Sequence, residues 1–378
     1  MDDLPALFSR SNDRPTTTNR LKVETVTDSP HPALTVAVAT PLSENLCQLI
    51  EQREPRVRML RDQSLLPPMR WPGDHSGDPT FSRTPDQQHR FDALVDSADA
   101  LYGIPDESPV ALRRTVKTNP RLRWVQTMAA GGGGQVKAAG LDPSDLERLA
   151  LTSSAGVHAR SLAEFAVFGV LAGAKSLPHL TALKQSASWS GRWTMGQVSE
   201  QTILVVGLGS IGRETARALS ALGARVWGTS RSSDPVEHVD RIVHPSQLAN
   251  VVGDVDAIVV TLPGTEATEK LVSADVFAHV VPGSTFVSVG RGTVVDEDAL
   301  AKALQDGRIG FAALDVFAAE PLATDSVLWG LPNVVISPHT AALTAAEDRL
   351  IAELFADNAT RLLDGEEMIN VINKREFY

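Results

Sequence analysis

The sequence predicts an α/β protein built on two parallel sheets, each doubly wound with helices on both faces. Short apolar runs alternate with helical patterns along the chain, first over residues 34–128 and then, more regularly, over 202–338. The runs of the second series are apolar at consecutive positions, which is typical of parallel strands buried on both faces. A chain of 378 residues, 43% of them apolar, is long enough for two such domains.

The first series follows a segment without periodic structure. Residues 1–33 are rich in Pro, Thr, Ser and Asp, and we expect them to form a loosely held N-terminal arm. Strands are predicted at 34–40, 98–104 and 122–128, with a helix at 108–117. The segment 67–88 is dense in Pro, Gly and Asp, so a long irregular loop is expected there.

A helix predicted at 161–177 separates the two series. Its apolar pattern is broad enough for burial on most sides, which suits a helix that passes between domains or lies at a dimer interface. A polar, Trp-bearing connector follows it. The strands predicted for the second series are TILVVG, ARVWGT, DAIVVTL, STFVSVG, GFAALDV and NVVISP.

Composition excludes several classes of partner. The formal net charge of -11 argues against general binding to nucleic acid or anionic membrane surfaces, which attract clustered Lys and Arg. The one cysteine, Cys47, cannot form an intrachain disulfide, and no Cys/His spacing resembles a metal site. The chain opens with acids instead of a signal sequence, and its longest apolar run, 166–174, is too short to span a bilayer. We therefore expect a cytoplasmic protein with no bound metal.

A glycine-rich turn opens the second series. Gly207, Gly209 and Gly212 form a G-x-G-x-x-G pattern, which alone is weak evidence in a chain with 27 glycines. An apolar strand precedes the pattern, a helical segment follows it as far as Gly223, and another strand comes next, as a dinucleotide fingerprint requires. The glycines allow the backbone to approach a pyrophosphate, whose charge is stabilised by the N–H groups at the helix start.

Five segments of the sequence resemble the D-isomer-specific 2-hydroxyacid dehydrogenases, and the resemblance covers nearly all of the chain from about residue 34. They are GLGSIGRETARAL, LPGTEATEKLV, VSVGRGTVVDEDALAKAL, GRIGFAALDVFAAEPL and LPNVVISPHTA. The resemblance implies a nucleotide-binding domain, 154–338, inserted in a discontinuous substrate domain formed by 34–153 and 339–378. It also implies a homodimer, with the helix of AEDRLIAELFADNATRLLDG returning to the first domain.

Three residues match the catalytic positions of the family, and each follows a predicted strand: Arg291, Glu320 and His339. Hydride transfer to a 2-keto acid leaves charge on the carbonyl oxygen, so the reaction needs a proton donor and an electrophile. The resemblance implies that His339 is the acid, that Glu320 is its partner and that Arg291 binds the substrate carboxylate. Arg291 stands between two glycines, on a turn that is expected to be flexible. Taken singly, His339 and Glu320 are more typical of ordinary loop positions. Their occurrence together with Arg291 and the glycine turn favours a site.

The cofactor positions include one departure from the pattern that favours NAD. Ser230 stands where an acid usually binds the ribose hydroxyls, and with Arg231 and Ser232 it suits a 2′-phosphate, so NADP(H) is expected in preference to NAD(H). A solvated turn without cofactor contact is the alternative interpretation. Asp315 matches a family aspartate near the nicotinamide carboxamide, although an acid at a strand end is as often a turn former. The expected cofactor-binding residues are Gly207, Gly209, Ser210, Ile211, Gly212, Ser230, Arg231, Ser232, Leu262, Pro263, Val289 and Asp315.

A second glycine-rich loop, MAAGGGG, follows the strand at 122–128. The resemblance implies that Ala130, Gly131 and Gly132 bind the substrate carboxylate through their N–H groups, together with Arg291. Glycine replaces the Val-Asp pair common at this place in the family, so a merely flexible loop is the alternative. His158 and Glu164, which also resemble an acid/base pair, are interpreted as packing or interface positions.

The activity expected from these features is NAD(P)H-dependent reduction of a small 2-keto acid to the D-2-hydroxy acid, as in the family's glyoxylate/hydroxypyruvate reductases. An NAD-dependent phosphoglycerate dehydrogenase is the alternative enzyme; the chain ends soon after Leu363, without the regulatory domain that some of those enzymes carry. A dinucleotide-sensing interaction protein, similar to the carboxyl-terminal binding corepressors, is the alternative of another class. The identity of the 2-keto acid does not follow from the sequence.

Overall fold

The computed structural model describes residues 34–377, so the arm expected at 1–33 lies outside the described residues. Two parallel sheets, of five and seven strands, account for the strands of the described part. This confirms the predicted α/β class.

The first sheet has the strand order β2-β1-β3-β4-β5, with every pairing parallel. Its strands are β1 Leu34–Val38, β2 Val57–Leu60, β3 Ala100–Tyr102, β4 Trp124–Gln126 and β5 Ala150–Thr152. The accompanying helices are α1 Glu44–Arg53, α2 Pro85–Asp96, α3 Pro109–Thr118, α4 Gly133–Ala139 and α5 Pro143–Arg148. Local sequence sets the helix starts: Thr84 and Gln87 form a capping box before α2, and the Ser108 hydroxyl caps α3.

Two helices lie between the sheets in sequence: α6 Ala159–Ala174 and α7 Leu177–Gln185. The second sheet has the order β12-β11-β10-β9-β6-β7-β8 and is also parallel throughout. Its strands are β6 Thr202–Val206, β7 Arg225–Thr229, β8 Arg241–Val243, β9 Ala257–Val260, β10 Ser284–Ser288, β11 Ile309–Leu314 and β12 Val334–Ile336. Its helices are α8 Ser210–Ala221, α9 Leu248–Val251, α10 Ala274–His279 and α11 Glu297–Gln305, and the chain closes with α12 Glu347–Asp364.

The chain passes from the first sheet to the second before α6 and returns to the first before α12. These two helices pack on different sheets. Helix α6 buries Leu162, Ala166 and Val170 against the second sheet. After β12 the chain returns, and α12 joins the core of the first sheet, where the Phe355 ring stacks on Trp124 at 4.2 Å between centroids. The order of the second sheet reverses between β6 and β9, and ligands of open α/β sheets bind at such switch points.

The sequence predictions missed three strands, and all three are edge strands: β2, β5 and β8. Each has three or four residues, and at least one of them is only partly buried, so none shows the continuous apolar run of a central strand. Helices α1, α2, α4 and α5 of the first sheet were also missed. The irregular loop ends earlier than predicted, at the start of α2, and the predicted helix 161–177 is divided at residues 175–176.

Within residues 34–377, no single helix is long and apolar enough to cross a membrane. Helices α6 and α7 together have sufficient length and apolar composition, but they are bent by 67°. In the same part of the chain, no group of three or more His, Cys, Asp or Glu side chains is arranged to hold a metal ion.

Candidate active site

The three predicted catalytic residues lie at one edge of the second sheet. Arg291 follows β10, Glu320 follows β11 and His339 follows β12, and these strands are neighbours in the sheet. Because parallel strands end at the same edge, residues far apart in sequence are brought together there.

The imidazole of His339 is paired with a carboxylate. Its Nδ1 lies 2.7 Å from Oε2 of Glu320, whose other oxygen accepts a hydrogen bond of 3.0 Å from the Phe317 N–H. Burial opposes ionisation of Glu320, but the bonds from His339 and Phe317 outweigh it, so the pKa of this carboxyl is below its ordinary value. Nε2 lies 3.5 Å from Nη1 of Arg291, and the His339 side chain is 40% exposed, so Nε2 is the nitrogen available to a substrate.

The backbone around His339 is held by a buried aspartate. His339 has φ of +54°, a left-handed conformation that is uncommon for residues other than glycine. Oδ1 of Asp315 accepts bonds from the N–H groups of Thr340 at 2.9 Å and Ala341 at 3.0 Å, and from the Ser337 hydroxyl. Sequence reasoning missed this role of Asp315. Its Oδ2 is buried and has no hydrogen-bond partner among the described residues, which fits a donor such as a carboxamide.

The glycines beside Arg291 are required for packing. A Cβ at Gly290 would lie 2.3 Å from the Leu262 carbonyl oxygen, and one at Gly292 would lie 1.9 Å from the Phe317 carbonyl. Neither Gly290 nor Gly292 has room for a side chain. The expectation of a flexible turn is therefore wrong, because the backbone of Arg291 is closely packed on both sides.

The predicted substrate loop of the first sheet reaches this site. A Cβ built on Gly131 would lie 3.5 Å from Nη2 of Arg291, which is van der Waals contact, so the loop and the guanidinium lie side by side. Ala130 and Gly131 are exposed, and in the described part of the chain their N–H groups have no hydrogen-bond partner. Gly132 is buried and donates its N–H to Ala129 at 3.2 Å. The amides of Ala130 and Gly131 are thus better placed than that of Gly132 to bind a carboxylate.

The G-x-G-x-x-G turn has the geometry that a dinucleotide needs. Gly207 has φ of +105°, and a Cβ at Gly212 would lie 1.9 Å from the Gly207 oxygen, so both positions require glycine. A Cβ at Gly209, which precedes α8, would meet nothing within 4 Å, and this leaves open space at the helix start. Thr229 and Thr261, which sequence reasoning missed, hold Gly207 through its N–H at 2.9 Å and its carbonyl at 2.8 Å.

The other predicted cofactor residues lie at the same edge. Ser210 and Ile211 begin α8, Leu262 and Pro263 follow β9, and Val289, which is buried, follows β10. A cleft of about 460 Å³ opens beside the start of α8 and is lined by Gly156, Ala159, Arg160, Ser210, Arg213, Glu214, Arg217, Val236, Glu237 and His238. Of the predicted cofactor residues only Ser210 lines this cleft, so the fit to a dinucleotide at the switch point rests on the glycine turn.

The residues after β7 contain an acid that sequence reasoning missed. The Ser232 N–H donates to Oγ of Ser230 at 3.1 Å, and the Ser232 hydroxyl donates to the carboxylate of Asp234. Arg231, Ser232 and Asp234 are exposed. A negative charge at Asp234 repels a 2′-phosphate, whereas the positive charge of Arg231 attracts it. This turn therefore contains one residue that opposes binding of a 2′-phosphate and one that favours it.

The two residues interpreted as packing or interface positions have different surroundings. His158 is largely buried and contacts Glu347, the first residue of α12. Glu164 is exposed on α6 and paired with Arg160 at 3.4 Å. Neither lies among the residues that contact Arg291 or His339.

Comparison with known proteins identifies the family of this chain. Residues 167–341 match the profile of the D-isomer specific 2-hydroxyacid dehydrogenase, NAD binding domain. The chain is 30% identical over 293 residues to glyoxylate/hydroxypyruvate reductase B of Yersinia enterocolitica, covering 76% of this chain and 88% of the relative. It is 34% identical over 283 residues to D-3-phosphoglycerate dehydrogenase of Mycobacterium tuberculosis, of which it spans only 52%.

A solved structure extends the match to most of the described fold. The D-isomer specific 2-hydroxyacid dehydrogenase of Xanthobacter autotrophicus, in complex with NADPH and MES, superposes with a TM-score of 0.69 at 26% identity, over 91% of this chain and 99% of the other. The chain belongs to the D-isomer-specific 2-hydroxyacid dehydrogenase family. It is an oxidoreductase that uses a nicotinamide cofactor to reduce 2-keto acids, which confirms the predicted enzyme class.

Proposed function

We propose that this enzyme is an NADPH-preferring reductase of small, unphosphorylated 2-keto acids, of the glyoxylate/hydroxypyruvate type. The observation that carries the proposal is the arrangement of His339, held by Glu320 at 2.7 Å, with its free nitrogen beside Arg291 and opposite Gly131. The Yersinia relative named above supports the substrate class, and the NADPH complex of the Xanthobacter protein supports the cofactor.

The two sheets supply different parts of the proposed site. Residues 34–153 and 339–378 form the substrate domain, and 154–338 form the cofactor domain. Support comes from α12, which packs in the core of the first sheet, and from α6, which packs on the second. The substrate then binds where the loop at Gly131 meets Arg291.

In the proposed chemistry, Arg291 and His339 together neutralise the negative charge of the substrate. Arg291 and the amides of Ala130 and Gly131 bind the substrate carboxylate, and Arg291 also polarises the carbonyl. When bound, the reduced nicotinamide would supply the hydride that the carbonyl carbon receives. The proton on Nε2 of His339 passes to the carbonyl oxygen, and Glu320 orients the ring throughout. In the reverse direction His339 accepts the hydroxyl proton.

A substrate panel tests the proposed function. Initial rates are measured with glyoxylate, hydroxypyruvate, phenylpyruvate, a branched 2-keto acid and phosphohydroxypyruvate, each with NADPH and with NADH. We expect the highest kcat/KM for glyoxylate or hydroxypyruvate with NADPH. A preference for phosphohydroxypyruvate with NADH would identify the alternative phosphoglycerate dehydrogenase, and cofactor binding without turnover of any keto acid would identify a sensor.

Cofactor preference is expected to depend on the turn after β7. The double substitution Ser230→Asp with Arg231→Ala introduces an acid and removes the guanidinium, so it should shift the ratio of kcat/KM for NADPH to that for NADH by at least about tenfold towards NADH. Asp234→Asn is the companion variant, and it should favour NADPH because it removes a negative charge from the same turn. An unaltered NADPH/NADH ratio in both variants would show that this turn does not contact the 2′-phosphate.

We also propose a homodimer formed through α6, α7 and the connector that follows. Phe168 is 43% exposed, Leu180 37% and Trp193 39%, and a groove of about 400 Å³ between α6 and α7 is lined mainly by apolar side chains. Contiguous exposed apolar surface of this kind is typical of an interface.

Phe168→Glu is expected to convert a dimer to monomers in light scattering coupled to size exclusion. Val110→Glu, at a more exposed apolar position on α3, should not. Wild-type protein that is monomeric at micromolar concentration would contradict the proposal.

The cellular setting that fits this activity is the cytoplasm, where reduced dinucleotides serve as cosubstrates. Fractionation of cells that express the full chain, followed by a reductase assay of each fraction, tests this location. Activity confined to the membrane or extracellular fraction would contradict it.

A further inference from the structure

A buried carboxylate links the two segments through which the chain passes between its sheets. Glu347 is the first residue of α12 and is 4% exposed. Its Oε1 lies 2.9 Å from Nε2 of His158, the residue that precedes α6. The chain leaves the first sheet just before His158 and returns to it at Glu347. One side-chain contact, between His158 and Glu347, therefore links the outward crossing to the return crossing.

The irregular loop of the first sheet packs against the same carboxylate. Nε2 of His75 lies 3.5 Å from Oε1 of Glu347. Gly73 has φ of +78°, and a Cβ there would lie 2.6 Å from Oε2 of Glu347, so only glycine allows this turn to close on the carboxylate. The Gly73 N–H also donates to both carboxylate oxygens of Asp348, each at 3.2 Å.

The charges around Glu347 favour its ionised form. Burial alone raises the pKa of this carboxyl, but the imidazoles of His158 and His75 outweigh burial and lower the pKa to about 2. His75 also faces Glu107, whose pKa is raised by burial. Tyr102 faces Glu347 and Asp348 with a buried hydroxyl that has no hydrogen-bond partner among the described residues, and burial raises its pKa. Two imidazoles thus lie against one buried carboxylate.

This cluster extends to the segment that contains His339. That residue lies eight positions before Glu347, and the intervening segment is held near its start by Asp315, which accepts bonds from the N–H groups of Thr340 and Ala341. The hydroxyl of Ser161, in the first turn of α6, donates to the Ala341 carbonyl. The return crossing is therefore fixed at one end by Asp315 and Ser161 and at the other by Glu347.

The cluster also extends to the substrate loop. Oε2 of Glu107 accepts a hydrogen bond of 2.8 Å from Gln135, which lies in α4. Helix α4 begins directly after Gly132, so Gln135 is fixed close to the proposed carboxylate-binding amides. Glu107 thus holds the helix that follows the substrate loop, and it lies near enough to His75 for their charges to interact.

We propose that Glu347 is a positioning residue that sets how the substrate loop lies against Arg291. This role rests on the proposed function, because it matters for the reaction only if the amides of the loop and Arg291 together bind the substrate. The two groups lie on different sheets, and their spacing depends on how the crossings are held. Small displacements of binding groups have large effects on rate, since the reacting atoms must meet in a narrow range of geometries.

Kinetic comparison of two variants of α12 tests the proposal. Glu347→Gln removes the charge at nearly constant shape, and Glu353→Gln makes the same change at a surface ion pair of the same helix, 2.8 Å from Arg349. We expect Glu347→Gln to lower kcat/KM for the keto acid by at least about tenfold while the Kd for NADPH stays within about twofold, because the cofactor residues lie on the second sheet. Glu353→Gln should change neither quantity.

Hydrogen exchange without substrate provides a readout that does not depend on the reaction. Glu347→Gln should accelerate exchange in all three segments that meet at the carboxylate, 70–78, 153–161 and 339–347, relative to wild type and Glu353→Gln. His158→Asn should accelerate exchange in the same segments, and it replaces Glu347→Gln in this experiment if that variant does not fold. Should the wild type reduce no 2-keto acid, the proposed function fails, and this comparison still decides whether Glu347 holds the crossings.

Three results would overturn the positioning role. The first is a kcat/KM within about twofold of wild type in a folded Glu347→Gln protein. The second is a loss of NADPH affinity equal to the loss of kcat/KM, which indicates general destabilisation. The third is faster exchange confined to the first turn of α12.

Discussion

Replacing His339 by alanine is expected to lower kcat for keto-acid reduction by about 100-fold or more, the usual cost of losing a general acid. Nε2 of this ring is the nitrogen left available when Nδ1 pairs with Glu320 at 2.7 Å. Because the cofactor residues are unchanged, His339→Ala should bind NADPH with nearly the wild-type Kd. Steady-state rates with saturating NADPH, together with a fluorescence titration of NADPH, measure both quantities.

Two further variants sharpen this test. Glu320→Gln should retain more activity than His339→Ala, because the ring keeps a hydrogen-bond partner and loses only the charge that stabilises its protonated form. His244→Ala changes an exposed histidine of the same sheet and should leave the rate unaltered. Near-normal turnover in His339→Ala would show that another group supplies the proton.

Arg291→Ala is expected to lower kcat/KM for the keto acid by about 100-fold or more, since it removes the carboxylate partner and the group that polarises the carbonyl. Its guanidinium lies opposite Gly131, at the meeting of the two sheets. The closely packed glycines on either side fix its backbone, so the main change should be local. Arg291→Lys retains a charge without the planar fork and should restore only part of the activity.

A surface arginine of the same sheet provides the control. Arg308 donates to the Ala278 carbonyl at 2.8 Å, and Arg308→Ala should have wild-type kinetics. If kcat/KM for the keto acid were unchanged in Arg291→Ala, the carboxylate would have to be bound elsewhere in the cleft.

The central strands could be predicted from sequence because each is a continuous apolar run. Strand β9, for example, is buried at all four positions. Of the four edge strands in the described part of the chain only β12 was predicted; β8, for example, has only one buried residue, and its sequence, RIV, has no distinguishing pattern. An edge strand forms because a neighbouring strand pairs with it, and the residues of the edge strand alone do not reveal that pairing.

The residues of the site could be predicted from motifs, but their supporting contacts could not. Arg291, Glu320 and His339 were named from sequence, and the structure brings them together. The role of Asp315 in holding the segment after His339 depends on backbone N–H groups, which leave no trace in residue type. Gly290 and Gly292 likewise looked flexible, because the neighbours that exclude a side chain lie on other strands or loops.

Asp234 illustrates a signal that was present in the sequence and overlooked. It lies four positions after Ser230, and its carboxylate accepts a bond from Ser232. A small polar cluster after the second strand of the fold therefore has to be examined for acids as well as for hydroxyls and arginine.

The stereochemical course of one reaction tests the central claim most directly. Hydroxypyruvate and NADPH are incubated with the wild-type enzyme, oxidation of the nicotinamide is followed by absorbance, and the glycerate formed is resolved by chiral chromatography. The proposed site predicts one D-glycerate for each NADPH oxidised, and the same product is expected to be lost in His339→Ala. Formation of L-glycerate, or the absence of NADPH oxidation with hydroxypyruvate and with glyoxylate, would contradict the proposed function.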